Sequence, residues 1–377
     1  MAERPAPLVL VVDPDAESPA FGSYAAVAAT GQRLLAAELS RRLAAQGAAV
    51  ARLPAEAAST DFHWGRWFTT AAREVRRDAE SGSRPLDAIG YAGAGSLALL
   101  GDAGLDALLS PVAGEVVANN RYSADAFVVA GDVDAALEAL AECPSDNAAV
   151  RCLERVGFRS RDLSTERWSR FDVDTPLDLA LLRLATRLPD ARVLDGVVTA
   201  FVEMAQLPGG GGLEVPSLVA VGDVIRSQEG ELLVAGRIPS SAWSYLEVES
   251  ACRVRCFIEE RGMRSSRGGT PRSLLAGWVA RFGAADLVAQ LASLGDAVIL
   301  DSRVLMASLG GSSDAAAWPS EEARFASDFL DRSRAGDGWL GELVEAAAAS
   351  SVPFLLGGHA LVSDGLRILV DAAWQGH

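Results

Sequence analysis

Two aspartates two residues apart, Asp172 and Asp174 in the run FDVDTPLDLALL (171–182), are the side chains of this sequence best placed to do chemistry. On a short extended segment, residues i and i+2 share a face, so the spacing predicts both carboxylates on one side of a strand. A carboxylate pair at the mouth of a sheet can hold Mg²⁺ or Mn²⁺ over a bound phosphate. The same residues have a plainer reading. Thr175 suits an N-cap, Pro176 the first helical position and Asp178 the first turn, so Asp174 and Thr175 would then do no more than start a helix.

Other candidates sit where turns should be. Asn119, Asn120 and Arg121 fall between two apolar runs, 115–118 and 126–130, and can hydrogen-bond a substrate or simply stabilise a turn. Gly95 and Ser96, in GAGSLALL (93–100), form a small-residue turn that lets backbone N–H groups approach a ligand. In the second half, EERGMRSSRGGTPRS (259–273) places Arg261, Arg264, Arg267 and Arg272 among glycines, with Thr270 read as an N-cap and Pro271 as a helix start. Arginine suits bidentate binding of phosphate or carboxylate, so this loop is an expected anion site; pairing with neighbouring acids is the alternative. The loops LDSR (300–303) and GGHALVSDG (357–365) also follow strands, but no G-x-S-x-G elbow accompanies His359 and Ser363.

The run 171–182 resembles the closing motif of nucleotidyltransferases of the molybdenum-cofactor guanylyltransferase and 2-phospho-lactate guanylyltransferase type. GEVVANNRYSADAFVVAG (114–131) and DNAAVRCLERVGF (146–158) fit the same pattern in order, covering roughly the first half of the chain. The resemblance implies a glycosyltransferase-A-like fold, a nucleotide ligand, a divalent metal and transfer to a small acceptor. The chain departs from that family twice. After the first strand, the family's glycine-rich loop with arginine and lysine is replaced by DPDAESPAFGSY (13–24), whose Asp13, Asp15 and Glu17 would repel a triphosphate unless cations lay between. The metal-binding aspartate of the family's next turn is replaced by Gly93, Ala94, Gly95 and Ser96.

The elements that must carry these residues read as α/β. An unbroken apolar strand at 8–12, a helix with Leu35, Leu39 and Leu43, and a strand at 48–53 make a βαβ opening. Within 62–81 an arginine-rich helix is expected after Trp64 and Trp67, ending near Gly82; helices are also expected at 132–142 and after Asp146, and strands at 86–91, 115–118, 126–130 and 159–163. Trp64 and Trp67 can stack on a base or pack on the sheet; packing is the commoner fate. A mainly parallel sheet sandwiched by helices is therefore expected over 1–190, with a second α/β domain over 191–377. There, strands are expected at 217–221, 232–235, 253–258, 297–300 and 352–356. Helices are expected at 193–205, 241–249, 271–294, 320–332 and 340–348.

Composition bounds the function. Net charge is −16, which argues against a nucleic-acid binder. No lysine occurs, all 34 basic residues being arginine, so Schiff-base chemistry and a phosphate-binding lysine are excluded. Cys143, Cys152, Cys252 and Cys256 form no C-x-x-C pair and read better as buried thiols than as a zinc site. No organic cofactor is indicated. The apolar run at 7–12 is too short for a signal or a membrane span, and a cytoplasmic protein without membrane partners is expected. Three readings remain: transfer from a nucleotide or sugar nucleotide to a small acceptor, binding of a nucleotide or metabolite without transfer, or an enzyme whose chemistry lies in the second half or between domains, the first half being a scaffold.

Overall fold

The structure, a computed structural model, describes residues 6–14, 22–55, 62–80, 86–191, 194–260 and 269–375. The chain forms two compact units whose segments alternate. The first takes residues 1–18, 29–174 and 190–200, and the second takes 19–28, 175–189 and 201–377.

The first unit is built on six strands: β1 (Leu8–Asp13), β2 (Ala49–Pro54), β3 (Ala88–Ala92), β4 (Glu115–Ala118), β5 (Ala126–Ala130) and β6 (Arg159–Asp162). They lie in the order β2-β1-β3-β5-β4-β6. Only β5 is antiparallel to its neighbours, so five of the six strands run the same way. Helices α1 (Tyr24–Ala45) and α3 (Asp102–Leu108) belong to one face, and α2 (Trp64–Glu80), α4 (Val133–Ala141) and α5 (Ala149–Arg155) to the other. The alternation of β1 explains the two cores. Leu8, Leu10 and Val12 join Trp64, Phe68 and Leu137, while Val9 and Val11 join Leu39, Leu43 and Leu105. Polar β6 closes one edge, where only one flank must pair.

The second unit opens with α6 (Pro176–Ala185). After α7 (Gly196–Met204), which runs from the first unit into the second, come α8 (Pro216–Arg226), β7 (Glu231–Gly236), α9 (Ser240–Glu249) and β8 (Arg253–Ile258). Then follow α10 (Leu274–Phe282), α11 (Ala284–Ala292), β9 (Ala297–Asp301), α12 (Arg303–Leu309), α13 (Glu321–Asp328), α14 (Trp339–Ala349), β10 (Phe354–Gly357) and α15 (Asp364–Gln375). The four strands are all parallel, in the order β10-β9-β7-β8. Leu233, Ala235, Val298, Leu300, Phe354 and Leu356 form the floor of one core, covered by α10, α11, α12 and α14.

Four local expectations are corrected. The strand expected at 217–221 is part of α8: Pro216 occupies the first helical turn, and Leu218, Val221, Gly222 and Ile225 are buried on one helical face. A five-residue apolar run cannot by itself separate the two periods. The helix expected over 271–294 is two helices, parted at Gly283 with φ +92°. Its cap is Ser273, whose side chain accepts from the Ala276 N–H, so Thr270 and Pro271 lie outside the helix. Asp146 does not cap α5 but begins one 3₁₀ turn ahead of it, over Asp146–Ala148. Residues 171–174 belong to no sheet, so the expected strand there is not formed.

Candidate functional site

The carboxyl ends of β1, β3, β4 and β6 and the start of antiparallel β5 lie at one edge of the first sheet. Strand order reverses between β1 and β3, which is where such sheets open a ligand crevice. Asp125, immediately before β5, is set against the turn after β3 by a bond from the Gly93 N–H to its carbonyl, 2.8 Å. Asn119, immediately after β4, clasps the same loop. Its Nδ2 donates to Asp125 Oδ2 (3.1 Å) and to the Ser169 carbonyl (3.2 Å). Its Oδ1 accepts from the N–H groups of Asp125 and Ala126, both at 3.0 Å. Those four bonds use both donors and both lone pairs of the amide, so Asn119 holds the loop rather than a ligand.

Asn120, Ser96 and Gly95 are also turned inward, while Arg121 is exposed. Asn120 is buried, and its Oδ1 accepts from the Tyr122 N–H at 3.2 Å. Arg121 pairs with Glu154 at 2.8 Å and lies over the Tyr122 ring. Ser96 is buried and donates to the Gly93 carbonyl at 2.8 Å. Gly95, at φ +82°, faces Val173: a Cβ there would stand 2.4 Å from the Val173 carbonyl oxygen. The Gly95 carbonyl accepts from the Val173 N–H at 3.3 Å, and the Val173 carbonyl accepts from Gln32 Nε2 at 2.9 Å. Residues 171–174 are thus stitched to the turn after β3 and to α1. This brings the Asp172–Asp174 segment to the edge that carries Gly95, Asn119 and Asp125.

Three carboxylates interact there. The Asp125 carboxyl is pushed up to about 7, first by burial and then by the charges of Asp174 and Asp146, against the pull of the Asn119 bond. Burial also raises Asp146, although the Asn147 N–H (2.7 Å) and the Tyr91 hydroxyl (3.4 Å) both donate to it. Tyr91 is held well above its ordinary range, by burial and then by the Asp146 charge, so it remains a donor. Beneath them lies an aromatic floor in which Trp64 stacks on Phe68 and meets Tyr91 edge-on at 5.2 Å. Trp64 is therefore a packing residue, while Trp67 lies against Phe62. Asp125, Asp146 and Tyr91 were absent from the expected site. For Asp125 a signal did exist: a carboxylate directly ahead of an unbroken apolar strand.

Among the described residues no group of three or more histidine, cysteine, aspartate or glutamate side chains is arranged to hold a metal ion. Asp172 accepts from the Val173 N–H at 2.9 Å, and Asp174 is exposed. A carboxyl titrating near 7 and already bonded to an amide is a weak ligand for a hard cation, so the described residues do not by themselves fit a resident metal.

The arginine loop falls largely outside the described residues, with Arg261, Arg264 and Arg267. Thr270 and Arg272 are exposed. All four cysteines are free thiols. No helix among the described residues is long and apolar enough to cross a membrane.

No family model matches the chain. No curated protein matches it either. Among solved structures, the chain is similar to the crystal structure of a putative nucleotide-diphospho-sugar transferase from Desulfovibrio desulfuricans G20. The identity is 12% and the TM-score 0.38, over 52% of this chain and 94% of that one.

Proposed function

We propose that the first unit binds a nucleotide or sugar nucleotide at the carboxyl edge of its sheet and transfers part of it to a small acceptor. The observation that carries this reading is the gathering of Asp125, Asp146 and Asp174 beside Tyr91 where the parallel strands end, with Asp125 titrating near 7. A base poised near the working pH is well matched to taking a proton from an acceptor hydroxyl as it attacks. Asp146 and Tyr91 then orient the acceptor, and a pre-set acid–acceptor geometry contributes through positioning. Asp172 and Asp174 remain the proposed contacts for Mg²⁺ or Mn²⁺ arriving with the nucleotide, since two carboxylates alone bind a hard cation weakly and phosphate oxygens would have to complete its shell.

The second reading, binding without transfer, is favoured by Asn119, Gly95 and Ser96, all of which are tied into the scaffold. One experiment separates the two. Melting temperature is measured with a panel of nucleotides and sugar nucleotides, with and without Mn²⁺, and each ligand that stabilises is then followed for turnover. A ligand at about 100 times its Kd should add roughly 2.7 kcal/mol of stability. Stabilisation with turnover supports transfer, and its loss in Asp125→Asn assigns the base. Stabilisation without turnover selects the binding reading. A panel with no effect at millimolar concentrations removes both.

A further inference from the structure

The second sheet has a reversal of strand order of its own. From β7 the chain winds to β8 on one side and to β9 and β10 on the other, so strand order reverses between β7 and β9, where such sheets open a ligand crevice. The residues at those two ends are Gly236-Arg237 and Asp301-Ser302-Arg303. Arg237 Nε donates to Asp301 Oδ2 at 2.6 Å and Nη2 to Oδ1 at 3.0 Å, and the Arg237 backbone N–H adds a bond to Oδ2 at 3.3 Å. Asp301 is completely buried. Burial works against its charge, yet the Arg237 guanidinium, with a smaller contribution from His359 after β10, holds its carboxyl below the usual range. The approach is made feasible by Gly236, at φ +138°, where a Cβ would stand 2.3 Å from that of Asp301.

Asp301 grips Arg237 by its Nε–Nη2 edge. Among the described residues Nη1 makes no hydrogen bond, and the side chain keeps 16% of its surface exposed. A guanidinium has a second edge able to take an oxyanion with two parallel bonds. The arrangement is therefore an oriented cation, fixed from behind and open in front, in a chain of net charge −16. A second pair stands beside it and has no such opening: Arg303 donates to Asp328 at 2.5 and 2.6 Å and to Ser302 Oγ at 3.1 Å, and both partners are buried. A largely buried ion pair is a poor way to stabilise a core, because apolar residues of equal volume often serve as well or better. The Arg237–Asp301 pair, unlike the second, stands at the reversal of strand order with one edge exposed.

We propose that this crevice is an oxyanion site for a small phosphorylated or carboxylated molecule, with Arg237 as the contact residue and Asp301 as the residue that positions it. The site lies wholly within the second unit and does not depend on the reading given for the first. The test is calorimetric titration of the full-length protein with inorganic phosphate and, separately, with succinate. Arg237→Lys keeps the charge opposite Asp301 but loses the fork, and should weaken binding by about tenfold or more. The double variant Arg237→Met/Asp301→Leu removes the pair without stranding a buried charge and should abolish binding while the protein still melts cooperatively. Binding of phosphate alone marks a phosphorylated ligand, binding of succinate alone a carboxylate, and both outcomes support the site. The site is overturned if both anions fail to bind at about 10 mM, or if affinities agree within about twofold between wild type and Arg237→Lys.

Discussion

At the scale of single residues, Asp125 carries the sharpest prediction. Its carboxyl titrates near 7 in the folded chain and in the ordinary carboxylate range, about 4, when unfolded. Between those values the folded state holds a proton that the unfolded state has released. The stabilisation linked to that proton is complete below about pH 4 and is lost as pH rises through 7. Melting temperature should therefore fall between pH 5 and pH 8, and fall less steeply in Asp125→Asn. Asp328, pushed up to about 6 mainly by burial, and Asp146, raised by the same cause, contribute with the same sign and persist in that variant. Calorimetric scans of both proteins across this range give the comparison. Equal slopes would mean that Asp125 titrates like an ordinary surface carboxylate.

At the scale of elements, the segment 171–174 decides the shape of the first unit's edge. It is held by Gly95 and Gln32 rather than by a neighbouring strand. It ends at a capping box, in which Thr175 Oγ1 accepts from the Asp178 N–H and the Asp178 carboxylate accepts from the Thr175 N–H at 2.9 Å. Gly95→Ala puts a side chain at positive φ and against the Val173 carbonyl, and should cost at least about 1–3 kcal/mol. Gly93→Ala is the control: its Cβ would meet nothing nearer than the Asp125 carbonyl oxygen at 3.4 Å, an ordinary contact. Urea unfolding of the two variants should separate them clearly, and a near-neutral Gly95→Ala would show that 171–174 adjusts freely.

At the scale of the whole molecule, the alternation of segments constrains how the chain can be divided. Helix α6 belongs to the second unit, although it follows directly on Asp174. Its buried face includes Leu177 and Leu181, and these reach Gly357 and Gly365 of the second unit. A fragment 175–377 should therefore melt at a higher temperature than 191–377, which lacks α6 and exposes that core. Losing contacts of even one such leucine costs about 2–5 kcal/mol. Circular dichroism melts of the two fragments make the comparison, and identical melting would mean that α6 contributes nothing to that unit.

The elements of the first unit were readable in the sequence because local physics settles them. The unbroken apolar run at 8–12 suits a strand covered on both faces, and Thr-Pro-x-Asp at 175–178 carries the N-cap, first-turn proline and first-turn acid of a helix start. The roles of Asn119, Gly95 and Ser96 were not readable, because an amide, a glycine and a hydroxyl serve a ligand or a scaffold equally well until their partners are known. Those partners, Asp125, Val173 and Gly93, come from other segments or from across a turn. Nor could the sequence raise the Asp125 carboxyl toward 7 or join Arg237 to Asp301, sixty-four residues away. Burial and the approach of distant charges set both, and only the order of strands in each sheet decides which ends meet. The sequence by itself determined most strands and helices, though not 217–221, whose apolar run suits either period; the tertiary structure alone decided which polar side chains complete the scaffold.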